Sequence, residues 1–211
     1  MNEIELVEFI KERIKEAPAL NLEEIISKDY VLAHAVSCIR HRTTDEKTVK
    51  FEVWEDLEEY FRVILDTENR AEDETMSIAI THALIKWLEI DAHELQRAAR
   101  LNAKETIKIR GLQEVLMQGM AIEMHIPDET MYVAECRGGA SVILFDDVLQ
   151  RFCEEHDVDE ITILPSSINE VILVTEKADG NDIDDMVSDV NKKTLREEEV
   201  LSDHAYYYHK K

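Results

Sequence analysis

The sequence predicts an α+β protein: a helical N-terminal part, then a mixed or antiparallel sheet packed by helices. Three observations predict it. Ile161–Thr175 (ITILPSSINEVILVT) sets two β-branched runs around a Pro-Ser-Ser turn, which reads as a β-hairpin over residues 160–175. From residue 131 onward the patterns run strand, helix, strand, strand, helix, strand. A hairpin inside that order excludes a purely parallel sheet. The first third carries apolar residues at helical spacing instead.

Asn2–Ala17 places Ile4, Val7, Ile10 and Ile14 on one helical face, and Pro18 ends the run. Leu22–His41 is the second expected helix, with Val31, Leu32, Ala35, Val36 and Ile39 in one sector. Phe51–Asp66 is the third. Val53, Trp54, Leu57, Tyr60, Phe61 and Ile64 form its apolar stripe, and Glu52, Glu55, Glu59 and Asp66 form its acidic one.

Asp66–Glu74 (DTENRAEDE) is an acidic break, placing a boundary between a helical region 1–74 and an α+β domain 75–211. Met76–Thr81 reads as a short buried strand, followed by helices over His82–Leu88, Ala92–Ala103 and Arg110–Met120. Met131–Cys136 is a strand turned by Arg137-Gly138-Gly139, and Ser141–His156 is mostly helical. The hairpin strands are Glu160–Leu164 and Glu170–Thr175. Asn181–Lys193 is amphipathic through Ile183, Met186, Val187 and Val190, and His204–Tyr208 closes the sheet as an edge strand.

Composition bounds the class. A chain of 211 residues with 45% hydrophobic residues can build a core without a disulfide staple. Cys38, Cys136 and Cys153 form an odd set without a CxxC, which suits reduced thiols and a cytoplasmic setting. No window approaches the ~20 apolar residues of a membrane span, and the acidic N-terminus does not read as a secretory signal. Lys and Arg number 24 against 47 Asp and Glu, a net charge of −23. That field repels nucleic acid and anionic membranes, so direct binding to either is not expected. It also admits an acidic decoy that occupies the basic groove of a nucleic-acid-binding protein.

Two constellations could carry chemistry. Ser166, Ser167 and Glu170 gather at the hairpin tip, with Ser202, Asp203 and His204 as candidate neighbours on another strand. A hydroxyl, an imidazole and a carboxylate are the parts of a nucleophilic hydrolase. The same serines can instead satisfy the turn backbone, and Ser167-Ile-Asn-Glu170 fits a capping box. His34, Cys38 and His41 fall on one flank of the second expected helix, where a soft metal could bind if a fourth ligand existed. Histidine and cysteine beside an apolar stripe more commonly pack. Arg137-Gly138-Gly139 is too short for a phosphate loop, and the Asp pairs at 146–147 and 184–185 suit helix starts. No cofactor is expected. An exposed edge strand at 204–208 could receive a partner's strand or a second copy of the chain.

Several blocks resemble a known family. MYVAECRGGASVILFDDVLQRF, ITILPSSINEVILV, DIDDMVSDVN and EEVLSDHAYYY are similar to a bacterial family of unknown function, family 5688, over about residues 76–208. SIAITHALIKWLEIDAHELQRAARLNA resembles the family's upstream strand and helices. The chain departs at Asn169, where the resemblance implies a histidine. The resemblance implies no established activity; some members lie on mobile elements. The expected function is therefore a non-catalytic protein-interaction or regulatory module with an unknown protein partner, carried by a phage or mobile element. A hydrolase at the hairpin tip and a nucleic-acid-mimicking inhibitor are its rivals.

Overall fold

The computed structural model describes residues 25, 27–54, 56–65, 76–117, 130–176 and 180–211. It is α+β, with its strands in two sheets. The helix expected over Asn2–Ala17 and the acidic break at 66–74 lie outside the described residues. Among those described, no helix is long and apolar enough to cross a membrane.

The chain divides into two compact units: residues 1–37, 43–51 and 59–105, and residues 38–42, 52–58 and 106–211. The first described helix, α1 (Lys28–His34), starts where the Ser27 hydroxyl accepts the Tyr30 N–H at 3.2 Å. It ends at His34. Ala35 is extended, and the chain runs straight into strand β1 (Ala35–His41). The helix expected across Leu22–His41 is thus cut short. Its freed carbonyls at Leu32, Ala33 and Ala35 are taken by the Asn102 side chain at 2.8–3.1 Å, a partner no local pattern reveals.

The helix expected over Phe51–Asp66 is instead strand. β2 (Lys50–Glu52) is short, and β3 (Leu57–Leu65) is buried along almost its whole length. A strand covered on both faces loses its alternation, so its apolar run can mimic a helical stripe. The acids completed the illusion. Glu59, read as a solvated face, is fully buried and accepts from Arg100 through Nε and Nη2, from Gln96 and from Ser37, all at 2.7–2.8 Å. Glu58 is also buried and takes Arg40 Nε at 2.8 Å.

β3 pairs with β1, β2 and β4 (Met76–Ala79). The β3–β4 ladder is antiparallel, from Arg62↔Ala79 to Leu65↔Met76. Strands β3 and β4 thus stand on either side of the expected boundary near residue 75. In the first unit, α2 (His82–Trp87) contributes Leu84 and Ile85 to a core around Phe61 and Ile80. α3 (Ala92–Lys104) adds Leu95 and Ala99, one turn apart, and Asp91 caps it by accepting the His93 and Glu94 N–H groups.

The second unit holds a five-stranded antiparallel sheet in the order β5-β6-β8-β7-β9. Its strands are β5 (Lys108–Gly111), β6 (Met131–Glu135), β7 (Glu160–Leu164), β8 (Val171–Val174) and β9 (Tyr206–His209). The expected helix at Arg110–Met120 begins later, as α4 (Leu112–Met117), because residues 108–111 pair with β6. The hairpin forms as read, with Thr162 opposite Val174 and Leu164 opposite Ile172. One face presents Tyr132, Ala134, Ile161, Ile163, Val171, Leu173, Tyr206 and Tyr208 to a core. A 3₁₀ turn (Ala140–Leu144) and α5 (Asp146–Glu155) complete that core through Val142, Ile143, Leu149 and Phe152. The other face packs Leu164, Ile172 and Val174 against Ile183 and Val187 of α6 (Gly180–Thr194).

Gly139 fixes the turn after β6. Its φ is +74°, and a Cβ there would lie 2.3 Å from the Ile168 carbonyl oxygen, so only glycine fits against the hairpin tip.

Candidate functional site

The tip of the hairpin is internally bonded. The Ser167 N–H donates to the Glu170 carbonyl at 3.1 Å, and the Ser167 hydroxyl accepts the Asn169 N–H at 3.0 Å. The Ser166 hydroxyl donates to Glu170 Oε1 at 3.2 Å. Ser166, Ser167 and Glu170 are thus brought together, and their contacts close the turn. His204 faces a different carboxylate.

That carboxylate is Asp56, which sits in the turn leading into β3, where its carbonyl accepts the Arg42 N–H at 2.8 Å. Four side chains converge on it. The Tyr206 hydroxyl donates to Oδ1 at 2.6 Å, and the Ser202 hydroxyl donates to Oδ2 at 2.9 Å. His204 Nε2 and His41 Nδ1 each lie 3.4 Å from Oδ2. Three of the four come from one short stretch of chain. Ser202 and His204 lie where the chain bends into β9, and Tyr206 is the first residue of the strand. Tyr208, further along β9, reaches Asp146, bonding its carbonyl at 3.2 Å and its Oδ1 at 3.1 Å.

The run itself is fixed from behind. Asn191 of α6 donates to the Ser202 carbonyl and to Asp203 Oδ1, and Asp184 accepts the Ala205 N–H at 2.8 Å. Trp54 packs edge-on against the Tyr206 ring, with centroids 4.9 Å apart. Partial burial works against ionising Asp56, but the Tyr206 and Ser202 hydroxyls and the charge on His204 outweigh it. Its carboxyl is held below the ordinary aspartate value.

This grouping has the residue types of a hydrolytic triad in a different arrangement. A triad needs its hydroxyl on one imidazole nitrogen and its carboxylate on the other. Here the Ser202 hydroxyl bonds the carboxylate directly, and the second His204 nitrogen faces the Ala205 carbonyl at 2.9 Å. What the arrangement does is tie two stretches of chain together through a shared anion.

The metal candidates separate by element. His34 ends α1, where Nδ1 meets the Tyr30 carbonyl at 2.9 Å and the ring stacks on Tyr30. Cys38 and His41 lie in β1, three residues apart and so on opposite faces. Cys38 is buried, and His41 is exposed beside Asp56. The helical flank that would have aligned the three does not form. Among the described residues, no group of three His, Cys, Asp or Glu is placed to hold a metal ion.

The remaining feature is the sheet edge. β9 is the last strand of its ladder and pairs with β7 from Ile163↔Tyr206 to Glu160↔His209. The Lys210 N–H continues that ladder onto the Asp159 carbonyl at 2.8 Å. Antiparallel pairing alternates, so Tyr206, Tyr208 and Lys210 bond β7, while the N–H and C=O groups of Tyr207 and His209 point to the open side. The Tyr207 side chain is 42% exposed. The edge strand begins at Tyr206, two residues later than expected, because Ser202–Ala205 are held by α6 and Asp56.

Ser202 and His204 stood among the sequence candidates, as expected neighbours of the hairpin-tip serines. Asp56 did not, and nothing local marks Asp56 or His41 as their partners.

No curated protein and no solved structure matches the chain. A family model described as a family of unknown function, DUF5688, matches residues 5–210, which extends the resemblance seen at 76–208 over the first third. The chain belongs to that family.

Proposed function

We propose that this protein is a non-catalytic interaction module that receives a protein partner along the open edge of β9. The observation that carries the reading is the alternation at that edge. Tyr207 and His209 turn their main-chain donors and acceptors away from β7, and the Tyr207 ring stands exposed beside them. A row of unpaired main-chain groups is a template for an added strand, and an aromatic side chain on it supplies contact area at low entropic cost. His204, Ser202 and Tyr206 hold the approach to the strand, so the edge is presented by a fixed base. The net charge of −23 favours a partner that is basic overall.

The test is affinity capture from a lysate of the source organism, with an unrelated bait of matched charge as control. The wild-type chain should retain a partner that the control does not, and Tyr207→Lys should release it. Recovery of the same charge-driven background by all three baits would contradict the reading. Self-association that depends on Tyr207, seen by sedimentation at rising concentration, would identify a second copy as the strand that docks.

A further inference from the structure

The open side of β9 is short, and the chain itself sets its length. Tyr207 and His209 turn their main-chain groups outward, but the residues two before and two after them are already occupied. The Ala205 N–H donates to Asp184 Oδ1 at 2.8 Å, and His204 Nδ1 meets the Ala205 carbonyl at 2.9 Å. At the other end the Lys211 N–H donates to Gln150 Oε1 at 2.9 Å, and Gln150 Nε2 donates to the Lys211 carbonyl at 3.4 Å. Gln150 thus meets Lys211 as a neighbouring peptide unit would. Side chains of α6 and α5 engage the main chain that a longer partner strand would pair with, a way of keeping an exposed edge from open-ended pairing.

Two open residues offer two donors and two acceptors. In the antiparallel manner of the rest of this sheet, they pair with the first and third residues of a three-residue extended segment. The middle residue then lies opposite Tyr208, and directly opposed residues share a face of the sheet. On that face the Tyr208 hydroxyl reaches Asp146 Oδ1 at 3.1 Å, and Lys211 Nζ lies 2.7 Å from the same oxygen. The Asp146 and Lys211 side chains are 55% and 73% exposed, so one ammonium can replace another there at little cost. An acid at the rim of the edge that already holds the chain's own lysine can hold a partner's. The next charges along the strand are matched within the chain: His209 Nδ1 lies 2.9 Å from Glu160, and Lys210 Nζ lies 3.2 Å from Asp159.

We propose that the partner presents to β9 a three-residue extended segment with a lysine or arginine at its middle. Its main chain fills Tyr207 and His209, and its cation lies on Asp146. The inference rests on the reading of β9 as the docking edge and adds the length and the charge of what docks. Asp184 and Gln150 set the length, and Asp146 sets the charge.

The experiment is amide NMR of the full chain titrated with two peptides, acetyl-Thr-Val-Lys-Val-Thr-amide and the same peptide with Glu at its centre. The lysine peptide should give its largest shifts at the Tyr207 and His209 amides and leave those of Ala205 and Lys211 little changed. It should bind several-fold more tightly than the glutamate peptide. Asp146→Asn should abolish that preference while the shifts at Tyr207 and His209 persist, and Gln150→Ala should let the shifts spread to Lys211. Equal binding of the two peptides, a preference unchanged in Asp146→Asn, or shifts running through Ala205 and Lys211 in the wild-type chain would overturn the proposal and leave the docking edge standing. Shifts at neither Tyr207 nor His209 with either peptide would overturn both.

Discussion

Tyr206 and Asp56, 150 residues apart in the chain, are joined by a hydrogen bond of 2.6 Å from the phenol to the carboxylate. A short bond to a charged acceptor is the stronger kind, worth about 1.5–3 kcal/mol. Tyr206→Phe removes the donor and keeps the ring against Trp54. Urea unfolding should show a loss of about 2 kcal/mol, and a change below about 0.5 kcal/mol would mean the bond contributes nothing net.

Asp56 also sets a pH dependence. Its carboxyl is held below the ordinary value, so the folded chain binds that proton less readily than the unfolded chain does. The stability it contributes is complete above the unfolded-state value of about 3.9 and is lost as pH falls through the lower folded-state value. The difference in unfolding free energy between wild type and Asp56→Asn should shrink as the solution is acidified through that window. A difference that stays constant or grows there would contradict the assignment.

Glu59 lies fully buried with four donated hydrogen bonds, two of them from Arg100. Removing one partner of such a pair leaves an uncompensated charge, which typically costs about 3–5 kcal/mol. Arg100→Ala should fall at the lower end of that range, because Gln96 and Ser37 still serve the carboxylate. The double variant Arg100→Met with Glu59→Leu should recover part of the loss. Chemical denaturation of the three chains decides it.

Gly139→Ala should be among the costliest single substitutions of the second unit. The new methyl meets the Ile168 carbonyl at 2.3 Å, and φ of +74° is itself unfavourable for alanine. A penalty of about 2 kcal/mol or more is expected in thermal or urea unfolding, since main chain cannot yield as a flexible side chain does. A neutral substitution would show that the turn and the hairpin tip are not in contact.

The sequence made some of this plain and hid the rest for identifiable reasons. The hairpin was legible because its Pro-Ser-Ser turn and its β-branched runs agree. Helix α3 was legible because it buries one regular stripe; α6 forms as read, but of its expected stripe Met186 and Val190 are exposed while Ile183 and Val187 pack on the sheet. β3 was not, because burial on both faces erased the alternation that marks a strand, and Glu59 passed for a solvated residue while its partner Arg100 lay 41 positions away. The chain could show Ser202 and His204 as candidates, yet not the aspartate they share with Tyr206, which stands 146 positions before Ser202. The same limit misplaced His34, Cys38 and His41. Their spacing pointed to one helical flank, and the helix stops between the first and the second.

The account turns on whether the outer side of β9 is open in the free chain and filled when a partner binds. Amide exchange at Tyr207 and His209 reads this directly, with Tyr206 and Tyr208 as internal references on the paired side. The account predicts fast exchange at Tyr207 and His209 in the dilute chain, slow exchange at Tyr206 and Tyr208, and protection of the first pair once the complex forms. Slow exchange at all four in the free chain, or fast exchange at Tyr207 and His209 within the complex, would contradict it.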